Sequence, residues 1–352
     1  RMENTAYLLL ENGRVFEGKR FGAQGDITGE IVFTTSMTGY LETLTDPNYF
    51  GQMVVQTFPL IGNYGVIPSD FESNHPHLKA YIVREWCQEP SNYRSEGNLD
   101  AFLKSMGIVG LYDIDTRALT RIIRKNGVMN ARITSSLDDY EALTENIKKY
   151  RIQNPIESVS CSKTTRFAGD NPLFNVVLWD FGFMKRIKTG LEKRGCAVTI
   201  VPAFSKAAEI AALKPDGVVL SNGPGNPADY PEIVSEVAKL ADMKIPLLGI
   251  SLGHQFMALS QGAKTERLKY GHRGSNHPVR DLSSGRLLIT EQSHQYVVSE
   301  DTLPENAKAR YININDGTVE GTDYAGIPAF SVQFYPDGAV FDRFINLMKG
   351  VG

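Results

Sequence analysis

Four continuous apolar runs in the second half of the chain constrain its fold most strongly. They lie at residues 175–179, 198–201, 217–220 and 246–250. Stretches long enough for helices separate them, as at 184–194 and 231–241. Strands that are apolar on both faces belong to parallel sheets covered by helices. The pattern therefore predicts a doubly wound, mostly parallel α/β domain over residues 174–352, with sites where loops leave the carboxyl ends of strands.

The first 150 residues have a different sequence pattern, in which turns separate short strand-like runs. A turn at 11–13 separates two apolar runs and predicts a β-hairpin. Residues 30–35 are β-branched and indicate another strand. Apolar residues recur at helical spacing over 116–125, and Asp115 stands before them as an N-cap. These features predict a smaller mixed α/β domain.

The boundary between the two domains is indicated by a loss of pattern. Over residues 151–173 the periodicity fades into Ser, Thr, Asn and Gly. We therefore expect an N-terminal domain over 1–150, a linker over 151–173 and the parallel-sheet domain after it. A chain of 352 residues is also too long for one hydrophobic core.

Composition excludes several classes of function. The net charge of −3 offers no basic surface for nucleic acid or an anionic membrane. No run of about 18 apolar residues exists, so we expect no membrane span. The residues around Arg1 lack the apolar core of a signal peptide, and three widely spaced cysteines argue against a disulfide framework or a zinc site. We expect a cytoplasmic protein.

Two short motifs follow strands of the second domain. The SNGPGNP sequence at 221–227 forms a rigid turn whose N–H groups can bind an oxyanion. The GISLGHQ sequence at 249–255 has the G-x-S-x-G pattern of a nucleophile elbow, which presents its central side chain at a helix N-terminus. Each motif alone also fits an ordinary strand-to-helix turn.

Together these motifs resemble those of class I glutamine amidotransferases. Further sequences resemble the small subunit of carbamoyl-phosphate synthetase: TTSMTGY at 34–40, LTDP at 44–47, IGNYG at 61–65, DIDTR at 113–117 and YGHRGSNHP at 270–278. The resemblance covers nearly the whole chain.

The resemblance implies a specific chemistry. In the family an elbow cysteine attacks the carboxamide of glutamine, and a histidine held by a glutamate manages the protons. Ammonia then travels to a large subunit that makes carbamoyl phosphate. The implied partners are that large subunit and L-glutamine; ATP and Mg²⁺ belong to the large subunit, so no cofactor and no metal are expected on this chain.

The catalytic positions depart from the family pattern. Ser251 replaces the elbow cysteine, Tyr335 the base and Asp337 the orienting acid. Serine is a weak nucleophile without a base, and a tyrosine with its ordinary pKa near 10 is neutral at pH 7. A nearby carboxylate favours the neutral phenol further. Joint loss of such residues costs about six orders of magnitude in turnover, so we expect hydrolysis to be nearly abolished.

The residues that match family substrate contacts are partly retained. The substrate-binding candidates are Asn48, Gly223, Gly225, Leu252, Gln255, Ser293, Gln295 and Tyr296. The family sequence Q-N-H-G-F reads differently here, because Ser293 and Gln295 replace its asparagine and glycine, and Gln295 adds a side chain near the substrate space. A single Cys-to-Ser change could be engineered to hold bound glutamine without hydrolysing it. The number of substitutions at these positions favours natural divergence instead.

Other polar residues have ordinary interpretations. The spacing of His254, His272, His277 and His294 matches no metal-ligand pattern, and we expect structural or supporting roles for them. Lys185 and Arg186 are interpreted as a solvated helix face.

Three functions stay open from the sequence. The first is a carbamoyl-phosphate synthetase small subunit with a disabled glutaminase that stabilises a large subunit and gates its ammonia. The second is a non-catalytic glutamine-binding or regulatory paralogue. The third is a serine hydrolase in which Ser251 is activated by His294 or His272.

Overall fold

A computed structural model describes residues 4–350 of the chain, which divides into two compact units, Arg1–Pro155 and Ile156–Gly352. The outermost ends of the predicted domain ranges, and most of the N-terminal stretch considered for a signal peptide, lie outside the described residues. No helix in the described part of the chain is long and apolar enough to cross a bilayer.

The first unit is built around a closed barrel. Its strands are β1 (Thr5–Leu10), β2 (Val15–Gly22), β3 (Ile27–Thr34), β4 (Gln52–Gln56), β5 (Leu60–Ile61), β6 (Ala80–Ile82), β7 (Glu85–Trp86), β8 (Val109–Tyr112) and β9 (Met129–Thr134). Seven of them close in the order β1-β2-β8-β6-β4-β3-β9, while β5 and β7 pair separately. The helices are α1 (Tyr40–Thr45), α2 (Leu99–Ser105), α3 (Thr116–Asn126) and α4 (Tyr140–Lys149).

The local predictions for this unit are confirmed. The hairpin forms between β1 and β2, and its turn contains Gly13 at a φ of 83°. Strand β3 covers most of the predicted run at 30–35. Helix α3 begins where it was expected, because the Asp115 side chain accepts a hydrogen bond from the Ala118 N–H at 2.9 Å.

The second unit contains one large sheet. Its strands are β10 (Thr165–Phe167), β11 (Phe174–Asp180), β12 (Cys196–Pro202), β13 (Gly217–Leu220), β14 (Leu247–Ile250), β15 (Thr265–Asp281), β16 (Leu287–Val298), β17 (Ala307–Asn313), β18 (Val319–Tyr324) and β19 (Ala329–Val332). The helices are α5 (Pro155–Val159), α6 (Lys185–Glu192), α7 (Ala207–Ala212), α8 (Pro231–Asp242), α9 (Leu252–Ser260) and α10 (Gly338–Met348). The range expected as a linker, 151–173, contains α5 and β10, and β10 pairs with β12.

The four apolar runs of the sequence form four of the five strands in the parallel part of this sheet. Strands β12, β11, β13, β14 and β19 are adjacent and parallel, in an order typical of doubly wound folds. We call these five strands the parallel half. The mixed α/β class and the parallel sheet are confirmed. The structure adds four antiparallel neighbours, β18, β16, β15 and β17, which we call the antiparallel half.

Alternation along β11 shows why the parallel half is buried on both faces. Val177 and Trp179 pack into an apolar cluster with α8 and α9, whereas Val176 and Leu178 pack into a second cluster with α6 and α10. Successive side chains of a strand point to opposite faces, so a continuous apolar run fills two cores at once. The apolar packing on both faces therefore holds the carboxyl ends of these strands in fixed positions.

Candidate active site

Ser251 occupies a sharp turn between β14 and α9. Its backbone has φ 54° and ψ −108°, a conformation that costs a non-glycine residue about 1–3 kcal/mol and persists only where the surroundings enforce it. Its N–H donates to the Val332 carbonyl at 2.8 Å. Ser251 is buried, with 1% of its surface exposed. The predicted elbow is therefore present in the backbone, although its nucleophile position carries a hydroxyl.

Two glycines allow α9 to pack directly on the strands beneath the elbow. A Cβ atom at Gly253 would lie 2.2 Å from the Leu220 carbonyl oxygen, and one at Gly249 would lie 2.5 Å from the Met257 sulfur. Carbon atoms do not approach backbone oxygen so closely, hence no larger residue fits without a shift of the helix. The two glycines of the G-x-S-x-G pattern are thus required by packing.

The loop after β13 lies beside the elbow. A Cβ atom at Gly223 would lie 2.2 Å from the Phe181 carbonyl oxygen and 3.0 Å from the Leu252 side chain. Gly225 adopts a φ of 98°. Leu252 is the first residue of α9, so its N–H lies in the turn that lacks intrahelical acceptors and carries the positive end of the helix dipole. Gly223 and Leu252 therefore come together at the place expected for an oxyanion.

A chain of amides leads to the Ser251 hydroxyl. The Gln333 Nε2 atom lies 3.5 Å from Ser251 Oγ, a long hydrogen bond. Gln255 Nε2 donates to Gln333 Oε1 at 2.9 Å and to the Tyr296 carbonyl at 2.7 Å. The structure thereby joins Ser251, Gln255 and Tyr296. Gln333 was not among the predicted site residues; its only sequence signal is its position two residues before Tyr335.

Tyr335 and Asp337 follow β19. The Tyr335 N–H donates to the Glu291 carbonyl at 2.9 Å, and its side chain is buried. The Asp337 side chain accepts a hydrogen bond from the Val340 N–H at 3.1 Å and forms the N-cap of α10. Because α10 begins at the next residue, the Asp337 carboxylate has the capping role that aspartate commonly fills.

The interpretation of Arg186 as part of a solvated helix face is wrong. Its guanidinium lies 2.6 Å from the Glu291 carboxylate and 5.6 Å from the centre of the Tyr335 ring. Lys185, its neighbour on α6, is exposed. The planar guanidinium can stack on an aromatic ring and pair with a carboxylate together, which helical periodicity alone does not reveal.

The remaining predicted site residues lie on β16 and in the first unit. Gln295 accepts a hydrogen bond from Arg273 at 3.0 Å, and its amide nitrogen donates to the Leu268 carbonyl. Both ends of this side chain are therefore bound within the β15–β16 hairpin. Ser293 is buried on β16. Asn48 lies in the first unit, in a short 3₁₀ turn.

Three histidines of the second unit form hydrogen bonds with groups other than the Ser251 hydroxyl. His254, on α9, is fully buried with its Nδ1 2.7 Å from Ser331 Oγ, and burial lowers the pKa of His254 to about 3. Burial likewise holds the pKa of His294 well below its ordinary value. Burial lowers the pKa of His272 as well, but bonds to the Asp316 and Glu320 carboxylates outweigh it and raise that pKa to about 9.

Comparison with known proteins gives the same two-part division. Residues 8–133 match the family described as carbamoyl-phosphate synthase small chain, CPSase domain, and residues 177–340 match glutamine amidotransferase class-I. The carbamoyl phosphate synthase small chain of Clostridium perfringens is 45% identical over 97% of this chain and 99% of its own. The pyrimidine-specific small chain of Bacillus subtilis is 46% identical over 97% of this chain and 95% of its own. The carbamoyl phosphate synthase small chain of Streptococcus pneumoniae serotype 4 is 46% identical over 97% of both chains.

Proposed function

The chain belongs to the carbamoyl-phosphate synthase small-chain family, and from this premise we propose that it is a small subunit whose own hydrolysis of glutamine is severely impaired. Its fold retains a glutamine amidotransferase domain. The impairment concerns only the catalytic side chains, since the elbow backbone is intact.

The observation that carries this proposal is the hydrogen bonding of the Ser251 hydroxyl. Activation of a serine requires an acceptor that can take its proton. The side-chain partner of Ser251 Oγ is Gln333 Nε2, an amide nitrogen that only donates. Among the described residues, no histidine ring forms a hydrogen bond with this hydroxyl; the hydroxyl therefore lacks the base that acyl transfer needs.

The role of Asp337 supports the same conclusion. In a catalytic triad the third residue holds the base in its orientation. Here the Asp337 carboxylate accepts the Val340 N–H and caps α10. The residue at the position of the orienting acid thus stabilises a helix terminus.

The remaining pocket supports a subunit that still acts within a complex. The Gly223 turn and the first turn of α9 adjoin each other, and the Gln255 amide belongs to the hydrogen-bond chain that leads to Ser251, which supports binding of a carboxamide. We propose L-glutamine as a ligand and a carbamoyl-phosphate synthase large subunit as the partner. The partner would use free ammonia and hold ATP and Mg²⁺, and the small subunit would stabilise it and gate ammonia entry.

The two other candidate functions have less support. A serine hydrolase would need His272 or His294 beside Ser251, but these rings bind Asp316 and Gln292 in the antiparallel half. A glutamine-binding paralogue without a large subunit uses the same pocket. It differs only in its partner, and co-purification with the large subunit distinguishes it.

The proposal is tested by measuring ammonia release from glutamine. We expect the native chain, alone or with its large subunit, to be slower than an active family member by about six orders of magnitude. A Ser251→Cys, Tyr335→His, Asp337→Glu variant should regain turnover, and adding Ser293→Asn and Gln295→Gly should increase it. Release at an ordinary rate by the native chain would refute the proposal.

Two controls make the comparison decisive. The Ser251→Cys, Tyr335→His variant keeps the Asp337 cap and separates recovered chemistry from a weakened α10. Calorimetric titration of the native chain with L-glutamine measures binding apart from turnover. Labelling of Ser251 by a fluorophosphonate would instead support the hydrolase.

A further inference from the structure

Four polar side chains from three strands meet in one buried cluster of the antiparallel half. They are His272 on β15, Gln292 and His294 on β16, and Glu320 on β18, with 6%, 1%, 7% and 0% of their surfaces exposed. His272 and His294 are direct partners across the β15–β16 pairing, and Gln292 lies two residues along β16 on the same face. We call these residues the four-residue cluster.

The cluster brings nitrogen and oxygen atoms into close contact. His272 Nδ1 lies 3.2 Å from Glu320 Oε1 and 3.1 Å from Gln292 Oε1. His294 Nε2 lies 2.8 Å from Gln292 Oε1 and 4.0 Å from Glu320 Oε2. One ligand atom each from His272, His294 and Glu320 lies within 4.8 Å of the other two.

The N–H groups of both imidazoles are directed outward. His272 Nε2 lies 2.6 Å from the Asp316 carboxylate, and His294 Nδ1 lies 2.9 Å from the Tyr296 carbonyl. Carboxylate and carbonyl oxygens only accept, so each of these nitrogens carries the hydrogen. Metal binding requires both imidazoles to be neutral, and the other nitrogen of each ring is then a bare acceptor that faces the cluster. A bound ion would displace the proton that the Asp316 and Glu320 carboxylates favour on His272.

The orientation of the Gln292 amide is fixed by Thr290. The Thr290 hydroxyl donates its single hydrogen to the His277 carbonyl at 2.8 Å. It can therefore only accept from Gln292 Nε2, which lies 3.0 Å away. Gln292 Oε1 consequently points at the two imidazoles and lies 2.8 Å from His294 Nε2, so that two acceptors face each other there.

The outcome is a buried concentration of acceptors around a common centre. Glu320 Oε1 accepts a hydrogen bond from Asn313, and the single hydrogen of the Thr318 hydroxyl is shared between Glu320 Oε1 and Asp316. Glu320 Oε2 is buried without a hydrogen-bond partner. An unpaired, fully buried carboxylate oxygen is costly, and facing lone pairs repel. We propose that the four-residue cluster binds a divalent transition-metal ion, with Zn²⁺ as the best fit.

The donor set and the spacing both match zinc. Imidazole nitrogen and carboxylate oxygen are common Zn²⁺ ligands at about 2.0–2.2 Å, and tetrahedral coordination then places ligand atoms roughly 3.4 Å apart. The separations of 2.8, 3.1, 3.2 and 4.0 Å lie on both sides of that value. Metal-bound histidines commonly donate their second N–H to a carboxylate or a backbone carbonyl, as His272 and His294 do here.

Four protein ligands fill a tetrahedral site, which is typical of a structural metal. The ion would connect β15, β16 and β18, and β16 and β18 otherwise share a single register pair. Asp316, with 40% of its side chain exposed, marks the side from which an ion can enter. The sequence spacing of the histidines did not indicate this site, because its ligands lie on separate strands.

The test is direct metal binding by the full-length chain. Metal is stripped with a chelator, Zn²⁺ is added back, and bound metal is measured by mass spectrometry and by competition with a chromogenic chelator. We expect one equivalent of tightly bound Zn²⁺, a rise in melting temperature on binding, and a tetrahedral visible spectrum with Co²⁺. Glu320→Gln should weaken Zn²⁺ binding at least about 100-fold, and Asp316→Asn about 10–100-fold.

Controls exclude adventitious binding and misfolding. The control replaces both histidines of the first unit, His75→Asn and His77→Asn. It removes two imidazoles that lie next to each other and should leave the one equivalent of bound Zn²⁺ in place. The half-exposed Asp316→Asn variant decides the question if Glu320→Gln does not fold. Absence of stoichiometric Zn²⁺, or equal affinity in native and Asp316→Asn chains, would overturn the proposal and leave a proton on His272 as the bridging cation.

Discussion

The two halves of the large sheet are stabilised in different ways. The parallel half is filled by apolar side chains on both faces, and its strands are close to wholly buried. The antiparallel half contains buried charged and polar groups, including Arg273, Asp281, Gln292 and Glu320. The difference explains why the elbow forms around a serine: its geometry is a requirement of apolar packing, which is independent of catalysis.

The largest expected effect tests the packing of the parallel half. Gly253→Ala places a methyl group 2.2 Å from the Leu220 carbonyl oxygen, so α9 must shift. We expect a loss of roughly 3 kcal/mol in the free energy of unfolding, with little dependence on pH. Denaturant titration measures it.

The matched control is Gly169→Ala, where the added methyl group meets no atom within 4 Å. It should change the free energy of unfolding by less than about 1 kcal/mol. Similar losses of unfolding free energy in the two variants would contradict this interpretation. The close approach of α9 to the strands would then not explain why the elbow needs glycine.

A smaller effect, dependent on pH, is expected in the antiparallel half. Burial alone would raise the pKa of Asp281, but hydrogen bonds from Arg310, Ser284 and Ser283 hold that pKa well below its ordinary value. A lowered pKa contributes stability that is present above about pH 4 and is lost as pH falls further. Asp281→Asn should therefore cost about 2 kcal/mol at pH 7 and progressively less in acid.

Unfolding experiments between pH 2 and pH 7 measure this dependence. The control is Asp342→Asn, whose carboxylate pairs with Arg194 at 2.7 Å but is 67% exposed and should contribute under about 1 kcal/mol. An Asp281→Asn penalty that stays constant down to pH 2 would contradict the assigned role of this carboxylate.

The smallest effect concerns Asp337, which the sequence predicts to stand at the position of an orienting acid. Asp337→Ala should lower the free energy of unfolding by about 1 kcal/mol, because the Val340 N–H loses its acceptor. Asp337→Asn should be nearly neutral, since asparagine caps helices equally well. Thermal unfolding distinguishes them, and an equal loss in both variants would show that charge, rather than capping, is the contribution of Asp337.

The sequence predicted the parallel half well because apolar runs carry one simple signal. Strands β11 and β13 coincide closely with the predicted runs, and helix α3 starts after its predicted cap. Strands β15 and β16 escaped notice because they are long, polar and interrupted by irregular register at Arg267/His272 and Gly274/His277. Their burial depends on partners distant in the chain, which local periodicity does not report.

The candidate site was predictable where residues follow strands and less so where they act through partners. Ser251 and Gly223 could be placed from motifs that end strands. The amide contact of Gln333, the pairing of Arg186 with Glu291 and the capping by Asp337 each depend on a side-chain conformation set by tertiary contacts. Such contacts produce no recognisable spacing of residues in the sequence.

The closed barrel of the first unit has a consequence for recognition by other proteins. Each of its seven strands pairs with a neighbour on both sides along at least part of its length, so none of these seven is an edge strand. Extension of the barrel by a strand from a binding partner, and runaway stacking of copies edge to edge, are both disfavoured. A protein that binds this barrel would therefore contact its loops, helices and outward-facing side chains.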